Sequence, residues 1–362
     1  MNSLHEKEFL ILLNSVFHPG RGNPAILKNI VHNLSDFEIL KKILSPVLNE
    51  HLKKGKIEFD VWLRTEITLA QKHNVQIIDY YSKKYPKILK TINDPPLVLY
   101  CKGNIELLNS ENCISIVGSR RCNSYGAEIA EKFSGELSDN NITIVSGLAL
   151  GIDRIAHDAA LAKTGNTIAV LGGCINNSYP HTNLKTYKNI VEHGLVISEF
   201  PFQTAALKVN FPVRNRIIAG LSKATLVVQA QEKSGTLITA RLASEYGRDV
   251  MAVPGDIRHS LSSGTNKLIL DGAYPAITTS GILEYAGISK KSLKQIDLFE
   301  NRDNISHQEK KILGLIESSS KTIDEICERT GLSVSVINVL VMELIEKELV
   351  VERAGRRIEI KK

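Results

Sequence analysis

The chain has 362 residues, with 45 Lys+Arg against 39 Asp+Glu, a formal charge of +6 and a pI near 8.9. That length suggests two or three domains with a sizeable core, and the mild basic excess is compatible with a nucleic-acid partner without pointing to one. Five scattered cysteines without a CxxC pair argue against a disulfide framework and a zinc site. The first residues lack an apolar signal core, and no apolar run is long enough to span a bilayer, so a soluble, cytoplasmic protein is expected.

Residues 1–80 are read as a helical domain. Leu10, Leu12 and Leu13 lead to a break at Pro19-Gly20-Arg21-Gly22, and Ser35 with Glu38 makes a capping box before a new helix. The breaks fit a small helical cap, and equally a helix-hairpin-helix-like unit whose Gly-rich turn can touch phosphates. Tyr85-Pro86 through Pro95-Pro96 and Gly103 reads as an extended lead-in to the next domain, which covers 81–288.

From Cys113 to about Thr279, short β-branched runs alternate with amphipathic helices. The runs are 114–117, 142–145, 167–171, 195–198, 226–228 and 250–253. Nearly continuous apolar strands, each followed by a small residue and then a helix, indicate a doubly wound α/β domain around a parallel sheet buried on both faces. Ala127, Ala130, Phe133 and Leu137 give the first intervening helix its apolar face. A polar linker follows at 289–304. In 305–362, capping boxes at Ser306/Glu309 and Thr322/Glu325 each open a helix, Ile323, Ile326 and Cys327 give the second its apolar face, and after the Gly331 turn a further helix is expected to be lined by Val336, Val339, Leu340 and Leu344. A hairpin through Ala354-Gly355 completes the order of a winged helix.

Small residues gather after the strands, where open α/β sheets bind ligands. They are Gly118-Ser119-Arg120-Arg121, Ser146-Gly147-Leu148-Ala149, Gly172-Gly173 and Ser234-Gly235-Thr236. Loop amides at helix starts can hold anions, and each such glycine can also be a simple tight-turn residue. Together with Arg120, Arg214 and Arg216 they favour a phosphate-tracking rim. No GxGxxG follows the first strand and no GxxxxGK[ST] exists, which disfavours dinucleotide and P-loop chemistry and any cofactor.

The segment Phe211-Pro212-Val213-Arg214-Asn215-Arg216, with Lys208 just ahead, combines guanidinium forks with a ring. A single-stranded nucleic-acid groove needs that pairing; a surface helix with incidental arginines and a core Phe is the alternative. Asp153 and His157, four apart on a helix, have the spacing of a carboxylate orienting a base. They also fit a helix-start Asp beside a packed His. No nucleophile elbow or metal-ligand spacing accompanies them, so no catalytic and no metal residues are assigned.

Ile116-Val117-Gly118-Ser119-Arg120, Ser146-Gly147-Leu148-Ala149-Leu150-Gly151-Ile152-Asp153 with Ala156-His157, Tyr179-Pro180, Ser198-Glu199, Phe211 to Arg216, Ser234 to Ala240 and Val253-Pro254-Gly255 occur in one order. In this the chain resembles the DNA-processing protein A (DprA/Smf) family. The resemblance implies a Rossmann-like domain flanked by an N-terminal SAM-like and a C-terminal winged-helix domain. It further implies a non-catalytic protein that binds and protects incoming single-stranded DNA in natural transformation, loads RecA recombinase onto it, and dimerises through the Rossmann-like domain. Arg120 then falls on the family's phosphate-binding Arg, and Lys208 and Phe211 on its Lys and aromatic residue. The DNA-binding set expected is Gly118, Ser119, Arg120, Ser146, Gly147, Lys208, Phe211, Arg214, Asn215, Arg216, Ser234, Gly235 and Thr236. Two departures are Gln229, where members commonly carry Glu, and Cys174-Ile175-Asn176-Asn177 before Tyr179-Pro180. A phosphoribohydrolase reading has only Ser234-Gly235-Thr236 as a partial echo of its phosphate loop. A transcription-factor reading lacks an arginine on the helix Val334 to Lys347 with which to read guanine.

Overall fold

The apolar runs of the central region become the inner strands of one nine-stranded sheet in the computed structural model. That model describes residues 6–17, 38–39, 41–46, 59–176, 180–202, 204, 207–288, 306–316, 319–347, 349–353 and 357–360. The Pro19–Gly22 break, Ser35 of the expected capping box, the 289–304 linker, Asn177 and Tyr179, and the Ala354-Gly355 turn lie outside these residues. The chain forms two units, 1–288 and 289–362.

In the first unit, α1 (Glu6–Phe17) and α2 (Phe59–Lys72) precede β1 (Gln76–Asp79) and β2 (Val98–Gly103). Then come β3 (Cys113–Val117), α3 (Ser124–Asp139), β4 (Thr143–Ser146), α4 (Ile152–Leu161), β5 (Thr167–Leu171), α5 (Leu184–His193) and β6 (Leu195–Ser198). The series ends with α6 (Asn210–Gly220), β7 (Ala224–Val227), α7 (Thr236–Glu245), β8 (Asp249–Ala252), α8 (Ser263–Leu270), β9 (Tyr274–Pro275) and α9 (Thr279–Tyr285). The sheet order is β1-β2-β6-β5-β4-β3-β7-β8-β9. From β6 to β9 every pairing is parallel, whereas β1/β2 and β2/β6 are antiparallel. Strands β3 to β7 are buried throughout, as expected for strands covered by helices on both faces. The order reverses at β3, which pairs with β4 on one side and with β7 on the other.

Two sequence expectations change here. Gln76–Asp79, assigned to the helical domain, is a sheet strand, and the extended lead-in contains another, since Ile77 pairs with Tyr100 and Tyr100 with Ser198. The region was legible only as a lead-in because Pro86, Pro95 and Pro96 interrupt it. Tyr85 and Tyr100 are nevertheless enclosed, and the Tyr85 hydroxyl donates to the Pro96 carbonyl at 2.7 Å. Helix α1 buries Phe9 to Leu13 completely, and Asn14 donates to the Glu199 carbonyl at the end of β6 (2.7 Å).

The second unit runs α10 (His307–Ile316), β10 (Lys321–Thr322), α11 (Ile323–Thr330), α12 (Val334–Glu346), β11 (Val350–Arg353) and β12 (Arg357–Ile360). Its strands form an antiparallel sheet in the order β10-β12-β11. Both expected capping boxes exist: Ser306 N–H donates to Glu309 at 2.7 Å, and Thr322 N–H donates to Glu325 at 2.8 Å. Gly331 closes α11 at φ +73°, the left-handed cap that glycine adopts without strain. The core face of α12 is Ile337, Leu340, Val341 and Leu344, while Val336 and Val339 are exposed. Exposed valines at 334 and 336 flank the core face on either side, so apolar spacing alone did not single out the inward residues.

Candidate nucleic-acid interface

A cleft of about 690 Å³ opens at the carboxyl ends of β3 and β7, where the strand order reverses. Crevices of open α/β sheets sit at such a switch point because the loops diverge there. The cleft is lined by Gly118, Ser119, Arg120 and Arg121 after β3, Ala149 after β4, Asp153 on α4, Lys208, Phe211, Pro212, Arg214 and Asn215 around the start of α6, and Gln231, Ser234, Gly235, Thr236, Ile238 and Thr239 around the start of α7. Of the thirteen expected residues, ten lie here: Gly118, Ser119, Arg120, Lys208, Phe211, Arg214, Asn215, Ser234, Gly235 and Thr236.

Ser146, Gly147 and Arg216 are not among the lining residues, and each has a structural task. Ser146 is fully buried and donates its hydroxyl to the Ile116 carbonyl at 2.6 Å, tying β4 to β3. Gly147 donates its amide to Asp153 Oδ2 at 3.1 Å, so that N–H is already used. Arg216 is 2 % exposed and donates to Glu199, with the Asp94 carboxylate 3.5 Å from its Nε. Its guanidinium faces Glu199 at the end of β6 and Asp94 of the lead-in.

Arg214 lines the cleft but is only 4 % exposed. Its Nη1 donates to the Gly147 carbonyl at 2.7 Å and to the Val170 carbonyl, and its Nε donates to Asn215 Oδ1 at 3.2 Å. It is therefore a strut between the ends of β4 and β5. Burial pulls its pKa down to about 10, opposed by the neighbouring Asp153 carboxylate. Burial in turn raises Asp153 above the ordinary carboxylate range, opposed by Arg214 and by the amides of Ala149 and Gly147. The buried charges of this pair offset one another, so the cleft's free positive charge comes from its rim. Arg120, Arg121 and Lys208 supply it, and all three are exposed.

The glycines after β4 and β5 act through close packing. A Cβ on Gly147 would sit 2.7 Å from the Arg214 guanidinium, and one on Gly172 would sit 2.7 Å from the Phe211 ring. These positions let the first turn of α6 settle onto the strand ends. Phe211 is partly exposed at the cleft, with the Arg120 guanidinium carbon 5.5 Å and that of Arg214 5.9 Å from its ring centre. A ring flanked by two guanidinium groups gains cation–π attraction and is fixed in orientation. Around it the loops are internally bonded: Ser119 N–H donates to the Gln229 carbonyl (2.8 Å), and Thr236 Oγ1 donates to the Gly118 carbonyl (3.0 Å). Gly235 stands exposed in open space at the start of α7.

Asp153 and His157 do not act on one another as an orienting pair. Thr167 Oγ1 spends its hydrogen on the Ile144 carbonyl (2.8 Å) and so accepts from His157 Nδ1 at 2.7 Å. Burial lowers the His157 pKa to about 3, so the ring is neutral. Sequence reasoning missed Gln231, Thr239 and Leu261 as lining residues. Thr239 was findable, one turn beyond Thr236 on the same helix face; Leu261 comes from the β8–α8 loop and carried no signal. Gln229 bonds Asn123 twice, accepting its N–H at 3.3 Å and donating to Oδ1 at 2.6 Å, which holds the loop before α3. Among the described residues no group of His, Cys, Asp and Glu has a metal-binding arrangement, and no helix is long and apolar enough to cross a membrane.

The family model of DNA recombination-mediator protein A matches residues 76–287. DNA processing protein DprA of Bacillus subtilis is 39 % identical over 247 residues, covering 67 % of this chain and 83 % of that protein. The X-ray structure of DNA processing protein A from Streptococcus pneumoniae superposes with a TM-score of 0.66 at 35 % identity, covering 78 % of this chain and 98 % of that one. The Helicobacter pylori DNA processing protein A, whose structure was described for its single-stranded DNA binding mode, gives a TM-score of 0.53 at 32 % identity, covering 58 % and 94 %.

Proposed function

The chain belongs to the DNA recombination-mediator protein A (DprA/Smf) family, and on that premise we propose that it is a non-catalytic single-stranded DNA-binding protein whose binding site is the switch-point cleft. In this reading phosphates ride the rim on Arg120 and Lys208, and bases turn inward to stack on Phe211. Gly118, Ser119, Asn215, Ser234, Gly235 and Thr236 shape the walls, while Arg214 holds the floor. The protein protects incoming DNA in natural transformation and loads RecA recombinase onto it, acting in the cytoplasm as a homodimer through the Rossmann-like domain. The 305–362 segment is a winged helix and the N-terminal helices are a SAM-like domain.

The observation that carries the reading is the Phe211 ring, seated against Gly172 with the Arg120 and Arg214 guanidinium groups within 6 Å and partly exposed to the cleft. Stacking is available to every base and is therefore sequence-tolerant, and it requires unpaired bases. The test is a titration of single- and double-stranded oligonucleotides of several sequences at several salt concentrations. Preference for single strands, little sequence dependence and an affinity falling with salt are expected. Equal affinity for duplex, or a flat salt response, refutes the reading.

A further inference from the structure

The segment between β4 and α4, Gly147-Leu148-Ala149-Leu150-Gly151, follows a strand and opens a helix, with Leu148 at φ +53° and Gly151 at φ +75°. Such turns aim backbone amides at one point, and a helix start adds positive potential there, which is how many α/β proteins hold phosphate. In this chain an anion of its own already takes that point. Asp153, in the first turn of α4, accepts from the Gly147 amide at 3.1 Å and from the amide of Ala149. At its other end Gly147 meets the opposite charge, since its carbonyl accepts from Arg214 at 2.7 Å. One residue thus joins a carboxylate and a guanidinium that are both buried. Both line the cleft, and among the described residues Asp153 is the only acid in its wall, against the cations Arg120, Arg121, Lys208 and Arg214. Ordering the loop needs only an acceptor, which an amide side chain also offers. The negative charge, in a groove for a polyanion, calls for a separate reason.

We propose that Asp153 is a specificity-determining residue: a resident anion that fills the phosphate position of the β4–α4 loop, cancels the charge of Arg214, and so keeps phosphate out of the cleft floor. What the neutral floor then accepts rests on the single-strand reading. Phosphates are left to Arg120, Arg121 and Lys208 on the rim, and the floor beside Phe211 takes an uncharged base. A cationic floor would instead hold inorganic phosphate or free nucleotides, which would compete with the strand. By discriminating against these small anions, the carboxylate leaves the cleft open to a chain, which presents a base and its flanking phosphate at separate places.

The test compares the full chain as wild type, Asp153→Asn, Asp153→Glu, Arg214→Gln, and Asp153→Asn with Arg214→Gln. Asparagine keeps an acceptor for the Gly147 amide and removes the charge; the double variant makes the floor neutral again, with a Gln amide to donate to the Gly147 carbonyl. Inorganic phosphate, titrated by calorimetry without DNA, should bind Asp153→Asn about tenfold more tightly than wild type, the order expected for one uncompensated and partly screened charge. Asp153→Glu and the double variant should bind it as wild type does. Arg214→Gln alone leaves the carboxylate uncompensated and should weaken phosphate binding, which keeps the test open should Asp153→Asn not fold. With a labelled oligothymidine strand, Asp153→Asn should steepen the slope of log K against log[salt] by about 0.7, as one more phosphate is neutralised. Wild-type phosphate affinity in a folded Asp153→Asn, or in a folded Arg214→Gln, overturns the proposal. So does a gain that persists in the double variant or appears equally in Asp153→Glu, because either assigns the effect to loop shape and not to charge. The phosphate titrations contain no DNA, so a wild type that fails to bind oligothymidine refutes the single-strand reading and leaves their outcome unaffected.

Discussion

Arg216 donates to Glu199 from a site where 2 % of the arginine and 1 % of the glutamate side chain reach solvent. Burial raises the Glu199 pKa and Arg216 opposes that rise, so removing the arginine strands an enclosed carboxylate. Arg216→Met should cost about 3–5 kcal/mol of stability, whereas Arg216→Met with Glu199→Leu should recover most of it. Denaturant titration of the single and double variants measures this. An Arg216→Met protein of unchanged stability that loses only DNA affinity would return Arg216 to the binding surface.

The Phe211 ring rests where a Gly172 side chain would otherwise stand, with only 2.7 Å to a Cβ there. Gly172→Ala should push the ring off its seat and reproduce part of the Phe211→Ala defect, itself about 1–3 kcal/mol for one stacked base. Fluorescence anisotropy with a labelled single strand reads both. Full affinity in Gly172→Ala with intact binding by Phe211→Ala places the stacking platform elsewhere.

Charge and ring should separate in the salt dependence. Each phosphate neutralised on a single strand contributes a slope of about −0.7 in log K against log[salt]. Arg120→Ala and Lys208→Ala should make the slope shallower for all sequences alike; Phe211→Ala should lower affinity with the slope nearly unchanged. Arg214→Ala should instead lower the melting temperature, because it removes a donor from the Gly147 and Val170 carbonyls and the larger of the two cationic influences on Asp153. Binding titrations at a series of salt concentrations, paired with thermal melts, distinguish the two classes.

What the sequence made legible follows from enclosure. Strands β5 and β6 lie where continuous apolar runs place them, since both faces are covered and nothing polar interrupts the pattern. Strands β1 and β2 add antiparallel to that sheet, and the prolines between them disguise the pairing. In the site, the rim loops were readable because Gly, Ser and Arg after a strand are local signals. The fate of Arg214 and Arg216 was not. Residues two apart on a helix point to opposite sides, so burying both requires α6 to be enclosed on two flanks. It lies between Val170 of β5 and the lead-in carrying Asp94, a long-range arrangement that no local pattern encodes.

Acid should act on stability through His157. Its pKa is lowered to about 3 in the folded protein by burial, against 6.5 ordinarily. The unfolded chain therefore binds the extra proton between those values. The stability tied to the neutral ring is complete above about pH 6.5 and is lost as pH falls toward 3, at up to about 1.4 kcal/mol per pH unit. His157→Gln should be less stable at pH 8 yet show a shallower decline between pH 6.5 and 4 in urea midpoints. Parallel declines in the two proteins would show that other groups carry the acid limb.

The last strand of the nine-stranded sheet offers little to a newcomer. At one end, β9 is two residues long and finishes at Pro275. Ala276 donates inward to the Ala252 carbonyl at 2.9 Å, so the alternation of a strand turns the nitrogen of residue 275 outward, and proline has no hydrogen to offer there. At the other end, β1 is four residues long and runs antiparallel to β2. A wide parallel sheet is slow to assemble and is exposed to mispairing while it forms. Ending one margin in a two-residue strand with a proline leaves that edge little to offer a neighbouring chain, which guards against edge-to-edge pairing.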